Sequence, residues 1–165
     1  GTTNTLRTLG KPAGYIVFLG DALKAVFAVW IVRYLLFQGL GDVTKILETV
    51  TALGVVLGHN YPFYMNFKGG KGIAATGGFM FALDVRIALI AAIVFAVVFF
   101  TTRDVYVGSL AITALFPILM LIFYPGQWVV FGLSLVFTAL AWWRHRANIK
   151  RLMNGTENKF EKKKR

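Results

Sequence analysis

Six apolar runs occupy most of the chain, and short polar segments separate them. The runs cover residues 15–37, 44–57, 72–83, 87–100, 105–123 and 127–143. A helix crosses the hydrocarbon core of a bilayer in about 20 residues, and a shorter helix can cross where the bilayer thins around it. The pattern predicts an all-α integral membrane protein, with six spans in this chain packed as one helical bundle.

The composition excludes a soluble globular domain. Of the 165 residues, 57% are hydrophobic and only 15% are charged, whereas soluble domains average about 25% charged residues. So few charges cannot cover a surface that faces water, and so much apolar material also excludes a disordered chain. The length predicts a single domain over residues 1–165. Because the sequence contains no cysteine, disulfides and thiolate metal sites are excluded.

The net charge of +11 falls mainly on one side of the predicted membrane. Nine of the eighteen Lys and Arg residues lie in a basic C-terminal segment, residues 144–165. Six spans place this segment on the same side as residues 1–14, 58–71 and 101–104, and that side then holds fourteen Lys and Arg residues. Because cytoplasmic loops carry the excess of Lys and Arg, this side and the C-terminus are predicted to be cytoplasmic. The basic segment is expected to face anionic lipid, not nucleic acid.

The first residues resemble the middle of a loop. The chain opens Gly1-Thr2-Thr3-Asn4, with neither a Met nor a signal peptide. We therefore expect an N-terminally truncated domain, with a further helix missing upstream.

Three polar clusters fall on the predicted cytoplasmic side. Residues 1–7 are rich in Thr and end in an arginine, residues 58–72 combine glycines with lysines, and residues 144–157 contain arginines, a histidine and an asparagine. Their location on one side predicts a functional site formed by three motif loops at the cytoplasmic face.

The middle cluster carries the most specific pattern, which stands immediately before a predicted helix. Its residues are Lys68, Gly69, Gly70, Lys71 and Gly72. Bare backbone amides at a helix N-terminus bind anions, and the two lysines add positive charge. The pattern is not a nucleotide P-loop, because Met65 stands where the first glycine would be and a glycine replaces the final Ser or Thr. It predicts a phosphate site of another kind.

Arginines and histidines complete the candidate site. Arg7 and Arg144 each suit a phosphate, because a guanidinium donates two parallel hydrogen bonds. The only two histidines, His59 and His145, both lie in the clusters. A zinc site needs three or four close ligands, and two histidines with few nearby carboxylates do not supply them, so we expect no metal. No pattern in the sequence indicates a cofactor, and we expect none.

The first apolar run contains an acid and a base, Asp21 and Lys24. Three residues separate them on a predicted helix, which places them one turn apart. A charge inside a span is a functional candidate, but a position near the cytoplasmic end favours a structural ion pair.

The three clusters closely resemble the motifs of the PlsY family, the bacterial glycerol-3-phosphate acyltransferases that use acyl-phosphate as donor. Residues 1–7 are similar to the second half of the family's first motif, whose first half, with its Ser, does not occur in the chain. Residues 58–72 match Gly-His-x-x-Pro-x-x-x-x-Phe-Lys-Gly-Gly-Lys-Gly. The third motif resembles residues 144–152, which Gly155 and Glu157 follow. Asp21 and Lys24 lie in a segment similar to the one between the first two motifs.

The resemblance implies a seven-helix membrane enzyme, so six spans and one missing helix fit the count. The family transfers a fatty acyl group from acyl-phosphate to glycerol 3-phosphate, giving lysophosphatidic acid and inorganic phosphate for phospholipid biosynthesis. It needs no metal and no CoA. The resemblance also implies the bacterial cytoplasmic (inner) membrane as location, with both substrates and membrane lipid as partners and with no obligate protein partner.

Roles for the candidate residues follow from this reaction. We expect Lys71 and the amides of Gly69 and Gly70 to bind one phosphate, with Arg7 and Lys68 contributing to phosphate binding generally. His145 and Asn148, three apart on one helix face, are expected to orient the glycerol hydroxyls. The further predicted binding residues are Thr3, Asn4, His59, Gly72 and Arg144. The proton released from the hydroxyl has three possible acceptors at this stage: His145, His59 or a substrate phosphate.

An anion transporter is the alternative function. Its glycine and lysine loop would be a half-helix anion site within the membrane. A transporter also predicts basic or polar residues on both faces or at the midplane. The predicted outer face offers only Lys45 and Arg86, which favours the enzyme.

Overall fold

The computed structural model describes residues 1–36 and 38–157, which form eight α-helices. The helices are α1 (Thr2–Thr8), α2 (Lys11–Ile31), α3 (Asp42–Asn60), α4 (Ile73–Leu83), α5 (Val85–Thr102), α6 (Val105–Phe123), α7 (Trp128–Arg144) and α8 (Arg146–Met153). A π-helical turn, Val32–Leu36, extends α2, and a 3-10 turn, Phe63–Met65, follows α3. No strand occurs within the described residues, so the predicted all-α fold is confirmed.

Three helical segments in the described part of the chain are long and apolar enough to cross a membrane. They are Lys11–Leu36, Val85–Thr102 and Val105–Phe123. Helices α4 and α7 are apolar but shorter, with 11 and 17 residues. Helix α3 has the length, but it carries Asp42, Lys45 and Glu48 in its first two turns. A helix therefore occupies each of the six predicted spans, while the number that fully cross and the side of each loop stay predictions.

Helix α4 lies at the centre of the bundle, in contact with α2, α3 and α5. Phe79 is fully buried on it, and its ring lies 5.9 Å from that of Phe116 in α6 and 5.3 Å from that of Phe137 in α7. Gly78 faces α2 so closely that an added Cβ would meet the carbonyl group of Ala22, with its carbon 2.8 Å away. The missing side chain thus allows two helix backbones to touch.

Two acidic residues begin the next two helices. Asp84 accepts a hydrogen bond from the backbone N–H of Arg86 at 2.9 Å, and Asp104 accepts one from the N–H of Tyr106 at 2.7 Å. Both are N-caps, which satisfy a helix N–H group that has no partner inside the helix. Short polar links thereby keep α4, α5 and α6 adjacent.

The N-terminal region differs from the predicted loop over residues 1–14. It folds as α1 followed by the first turn of α2, which begins at Lys11. Helix α1 packs on α2, and Leu6 fills the space beside Gly14 that a Cβ would need. The missing side chain at Gly14 lets this short helix lie against its neighbour, a contact that the polar composition of the segment does not reveal.

Candidate active site

The three sequence clusters meet at one end of the bundle, which we call the motif end. Gly1 lies against Gly70, since a Cβ on Gly1 would be 3.7 Å from the Gly70 Cα. Arg7 in α1 donates to the hydroxyl of Tyr106 at 3.2 Å. Arg144 at the end of α7 donates to the carbonyl of Gly70 at 2.9 Å. The loops from α1, α3–α4 and α7–α8 therefore form one site.

Lys71 connects the second motif to the third. Its ammonium donates to the side-chain oxygen of Asn148 and lies 4.1 Å from the centroid of the Tyr106 ring. The pKa of Lys71 is lowered from 10.5 to about 8, mainly by burial; the charge of Glu157 opposes this shift and the charges of nearby arginines add to it. The ammonium is half-buried and has no ion pair to a carboxylate among the described residues.

A carboxylate fixes the orientation of the Asn148 amide. Glu157 accepts a hydrogen bond from the Asn148 amide nitrogen at 2.9 Å and another from Arg151 at 3.0 Å. The amide group therefore turns its NH₂ to Glu157 and its oxygen to Lys71. Asn148 is only 1% exposed, so its contacts hold the Lys71 ammonium in a fixed position.

His145 is a buried neutral histidine. Its Nδ1 lies 2.7 Å from the carbonyl oxygen of Ala141, and a carbonyl can only accept, so Nδ1 carries the proton and Nε2 keeps its lone pair. The pKa of His145 is lowered to about 4, mainly by burial and also by the positive charges of Lys71 and Arg144, while the bond to Ala141 opposes the shift. Its ring also packs edge-on against that of Tyr106, with centroids 5.9 Å apart.

The predicted roles of the Gly69 and Gly70 amides are wrong. The Gly69 N–H donates to the carbonyl of Asn60 and the Gly70 N–H to the carbonyl of His59, each at 3.1 Å. These bonds tie the loop to the end of α3, so the two amides do not face an anion. The backbone donors that remain are those of the first turn of α4, which an α-helix leaves without intrahelical partners.

Arg144 holds the same loop from the other side. Its guanidinium donates to the carbonyls of Gly69 at 3.1 Å and Gly70 at 2.9 Å, and it lies 4.8 Å from the ring centroid of Tyr61. These contacts use donors that we expected to face a phosphate. In this structure Arg144 supports the loop, and its predicted phosphate contact stays a prediction.

Gly72 and His59 allow the loop between α3 and α4 to pack closely against the end of α3. Gly72 has a φ of +79°, which favours glycine, and a Cβ there would lie 2.7 Å from a methyl carbon of Val56. His59 packs its ring edge onto Gly70, and its Nδ1 lies 2.8 Å from the ammonium of Lys24. The predicted pair of Asp21 and Lys24 is confirmed at 2.7 Å, and its contact with His59 was not foreseen.

Buried polar atoms without a hydrogen-bond partner occur at this end. Among the described residues they are the Thr2 hydroxyl, both amide atoms of Asn60 and one oxygen of Asp104. Thr2 opens α1, Asn60 ends α3 and Asp104 caps α6. Such groups are uncommon in folded proteins and call for an explanation, and a polar ligand bound at the motif end would supply it.

Among the described residues, no side-chain hydrogen bond or ion pair joins three of the predicted binding residues to the cluster. Asn4 and Lys68 are exposed and Thr3 is half-buried. Their proposed contacts with substrate therefore stay predictions. Within the described residues, no group of three or more His, Asp or Glu side chains is arranged to hold a metal ion.

Tyr106 is the site residue that sequence reasoning missed. It contacts Arg7 through its hydroxyl, and Lys71 and His145 through its ring. It lies one residue into the fifth apolar run and outside the three clusters. The only signal was its position two residues after Asp104, at the predicted cytoplasmic start of that run.

The chain is similar to known proteins in both sequence and fold. The family described as glycerol-3-phosphate acyltransferase matches residues 1–155. The glycerol-3-phosphate acyltransferase of Clostridioides difficile (strain 630) is 42% identical over 99% of this chain and 79% of that relative. The one from Bordetella pertussis (strain Tohama I) is 36% identical over 99% of this chain and 76% of the relative.

Two solved structures agree with this match. Crystal structures of PlsY (YgiH), an integral membrane glycerol 3-phosphate acyltransferase, superpose with TM-scores of 0.86 for the glycerol 3-phosphate form and 0.83 for the lysophosphatidic acid form. Both are 36% identical and cover 98% of this chain, with 78% and 79% of the solved chains matched. The chain therefore belongs to the glycerol-3-phosphate acyltransferase family.

Proposed function

We propose that this membrane acyltransferase takes its fatty acyl group from acyl-phosphate and transfers it to glycerol 3-phosphate. The products are lysophosphatidic acid and inorganic phosphate, in the synthesis of phospholipids at the bacterial cytoplasmic membrane. The relatives are glycerol-3-phosphate acyltransferases by name, and the three motifs support the acyl-phosphate donor.

The charge of the motif end carries the proposal. Arg7, Arg144 and Arg151 lie close enough to Lys71 for their positive charges to act on its ammonium. Glu157 is the carboxylate near them in the described chain, and it is bonded to Asn148 and Arg151. A site with this excess of cations suits two substrates that each carry a phosphate group.

The reaction can proceed without a covalent enzyme intermediate, because acyl-phosphate is already activated. A hydroxyl oxygen of glycerol 3-phosphate attacks the acyl carbonyl carbon, and the bond from that carbon to the phosphate oxygen then breaks. The hydroxyl proton finally resides on the released phosphate, so atoms and charge balance. The protein contributes by holding the two substrates together and by stabilising the negative charge that develops.

We assign different roles to Asn148 and His145, which from the sequence we expected to orient the glycerol hydroxyls together. Asn148 already bonds Lys71 and Glu157, so we assign it the positioning of the Lys71 ammonium. His145 keeps a free lone pair on Nε2 and is neutral at pH 7, since its pKa is lowered to about 4. We assign His145 the orientation of the glycerol hydroxyl through that lone pair.

Donor choice tests the function. The purified protein should form lysophosphatidic acid and release phosphate from acyl-phosphate and glycerol 3-phosphate, and chelators should not change the rate. It should not use acyl-CoA, because the chain has no His followed by Asp at the fifth position, the pairing that marks the common acyl-CoA-dependent enzymes. Efficient transfer from acyl-CoA, or strict metal dependence, would overturn the proposal.

Anion flux tests the alternative function, a transporter. Cysteine labelling tests the orientation of the chain in the membrane. Anion flux in proteoliposomes without acyl transfer would favour a transporter. Because the sequence has no native cysteine, single cysteines at Asn66 and Gln127 can be labelled without background. We expect labelling of Asn66 from the cytoplasmic side and of Gln127 from outside. A cysteine at Asn158 should label with Asn66, although this residue lies outside the described part of the chain.

A further inference from the structure

The two histidines of the chain have different partners at Nδ1. For His59, this atom lies 2.8 Å from the Lys24 ammonium and 3.2 Å from a carboxylate oxygen of Asp21. For His145, it lies 2.7 Å from the carbonyl oxygen of Ala141. The partner at Nδ1 decides which ring nitrogen carries the proton in a neutral histidine.

The Lys24 ammonium selects the tautomer of His59. An ammonium has three donors and no acceptor, so the ring nitrogen that it bonds must accept. A proton on Nδ1 could reach Asp21 at 3.2 Å, but it would then oppose the Lys24 ammonium at the shorter distance of 2.8 Å. A neutral His59 ring therefore carries its proton on Nε2.

The Ala141 carbonyl selects the opposite tautomer of His145. A carbonyl can only accept, so Nδ1 of His145 carries the proton and Nε2 carries the lone pair. The two histidines thus present opposite functions at the same ring atom: a donor in His59 and an acceptor in His145.

The Nε2 atom of His59 lies at the loop that leads to Lys71. A Cβ added to Gly70 would collide with this atom, and it would lie 2.7 Å from the neighbouring ring carbon Cε1. The Gly70 N–H also donates to the His59 carbonyl. The glycine therefore leaves the ring edge free of a side chain just before Lys71.

We propose that Asp21 and Lys24 are positioning residues that hold His59 as its Nε2–H tautomer, so that His59 presents a hydrogen-bond donor to a bound phosphate group. The phosphate part of this inference rests on the proposed function. As a consequence His59 does not accept the proton of the glycerol hydroxyl, because one ring nitrogen is protonated and the other is bonded to Lys24. This removes one of the three acceptors that the sequence left open.

Nitrogen NMR of protein labelled with ¹⁵N-histidine tests the tautomers directly, since protonated and unprotonated ring nitrogens have well-separated shifts. At neutral pH and without substrate, we expect one Nε2–H ring and one Nδ1–H ring. The variant His145→Gln assigns the remaining signal to His59. An Nδ1–H tautomer or a doubly protonated ring at His59 would overturn the inference.

Substitution of Lys24 tests the cause. In Lys24→Met, Nδ1 keeps only Asp21 as partner, so the proton should move to Nδ1 and the Nε2 donor should be lost. Lys24→Arg retains a cationic donor and should preserve the Nε2–H tautomer. Lys11→Met, at an exposed lysine of the same helix, is the matched control and should change neither the tautomer nor the kinetics. An unchanged His145 signal in each variant shows that the fold is intact.

Kinetics test the consequence for phosphate binding. A hydrogen bond to a charged group contributes about 1.5–3 kcal/mol, so Lys24→Met should raise the KM of a phosphate substrate about tenfold or more, with a smaller change in kcat. Unchanged KM values in a protein whose tautomer has switched would overturn the phosphate contact. Because the NMR measurement needs no substrate, absent acyl transfer with the expected tautomers would instead refute the proposed function alone.

Discussion

The two ends of the bundle differ in how their charges are balanced. At the opposite end of the bundle, which we call the far end, each of the three cations in the described part of the chain has an acidic partner. Arg33 pairs with Glu48 at 2.6 Å, Arg86 with Asp84 at 2.6 Å and Lys45 with Asp42 at 3.7 Å. At the motif end, the described residues include ten Lys and Arg but only three carboxylates, namely Asp21, Asp104 and Glu157. Balanced charges serve the fold, whereas an excess of one sign serves a ligand of the other sign.

This contrast also bears on the transporter alternative. A path for anions would need cations that are available at both ends. At the far end, carboxylates of the protein itself neutralise the cations. Tyr124 reinforces this balance, because its hydroxyl donates to Asp84 at 2.9 Å and its ring lies 5.7 Å from the Lys45 ammonium. The far end is therefore a structural cluster.

We expect the largest effect on stability when the buried carboxylate of Glu48, at the far end, loses its partner. Glu48 is 2% exposed and accepts two hydrogen bonds from Arg33. Arg33→Met leaves this carboxylate buried and unpaired, which should lower the free energy of unfolding by about 3–5 kcal/mol. The double variant Arg33→Met/Glu48→Met should recover most of the loss in a thermal unfolding experiment in detergent. Equal stability of the single and double variants would contradict the assignment.

The motif end should respond in activity and not in stability. Loss of a preorganised charged donor costs about 10²–10³-fold in kcat, so Lys71→Met should lose that much acyl transfer while its unfolding temperature stays close to wild type. Lys45→Met at the far end is the matched control, with activity expected within about twofold of wild type. Comparable losses in the two variants would remove the distinction between the ends.

Helix α4, which runs between the two ends, contains two adjacent glycines, Gly77 and Gly78. We expect opposite effects on stability when each is replaced by alanine. An added methyl at Gly78 meets the α2 backbone at Ala22, while one at Gly77 meets nothing within 4 Å. Gly78→Ala should therefore destabilise the bundle by about 1–3 kcal/mol. Gly77→Ala should be neutral or stabilising by up to about 1 kcal/mol, because Ala is the better helix former. Chemical unfolding measures both, and destabilisation by Gly77→Ala alone would show that the α2–α4 contact is placed wrongly.

The smallest effect is a pH dependence confined to the motif end. The pKa of Lys71 is lowered to about 8 by burial, so its ammonium is present below that pH and is lost above it. We expect kcat/KM to fall about tenfold per pH unit above pH 8. Lys71→Arg should abolish this fall in a variant that retains activity, because arginine stays charged. A wild-type profile that is flat from pH 7 to 10 would contradict a role for the ammonium.

The positions of the helices could be predicted because apolar runs report them directly. The meeting of three motifs could also be predicted, since loop polarity and charge place them at one membrane face. The pair of Asp21 and Lys24 followed from helical spacing alone. These features depend on patterns that are local in the sequence.

Features that depend on tertiary contacts could not be predicted. The amides of Gly69 and Gly70 resemble a free anion cradle in the sequence, but the end of α3 takes both of them. Tyr106 joins the site only because the start of α6 lies beside α1 and beside His145, the residue between α7 and α8. Likewise His59 meets Lys24 across 35 positions of sequence, and no periodicity reports such a distance.

The hydrogen bonds from Arg144 to the carbonyls of Gly69 and Gly70 have a consequence for biogenesis. The two partners are about 75 positions apart, so the ribosome finishes the loop long before it makes the residue that supports it. A nascent chain with all earlier helices inserted still lacks the third motif. Catalytic competence therefore arises only after α7 has been made and has docked, and chains in the membrane that terminate before α7 would not consume the substrates of the finished enzyme.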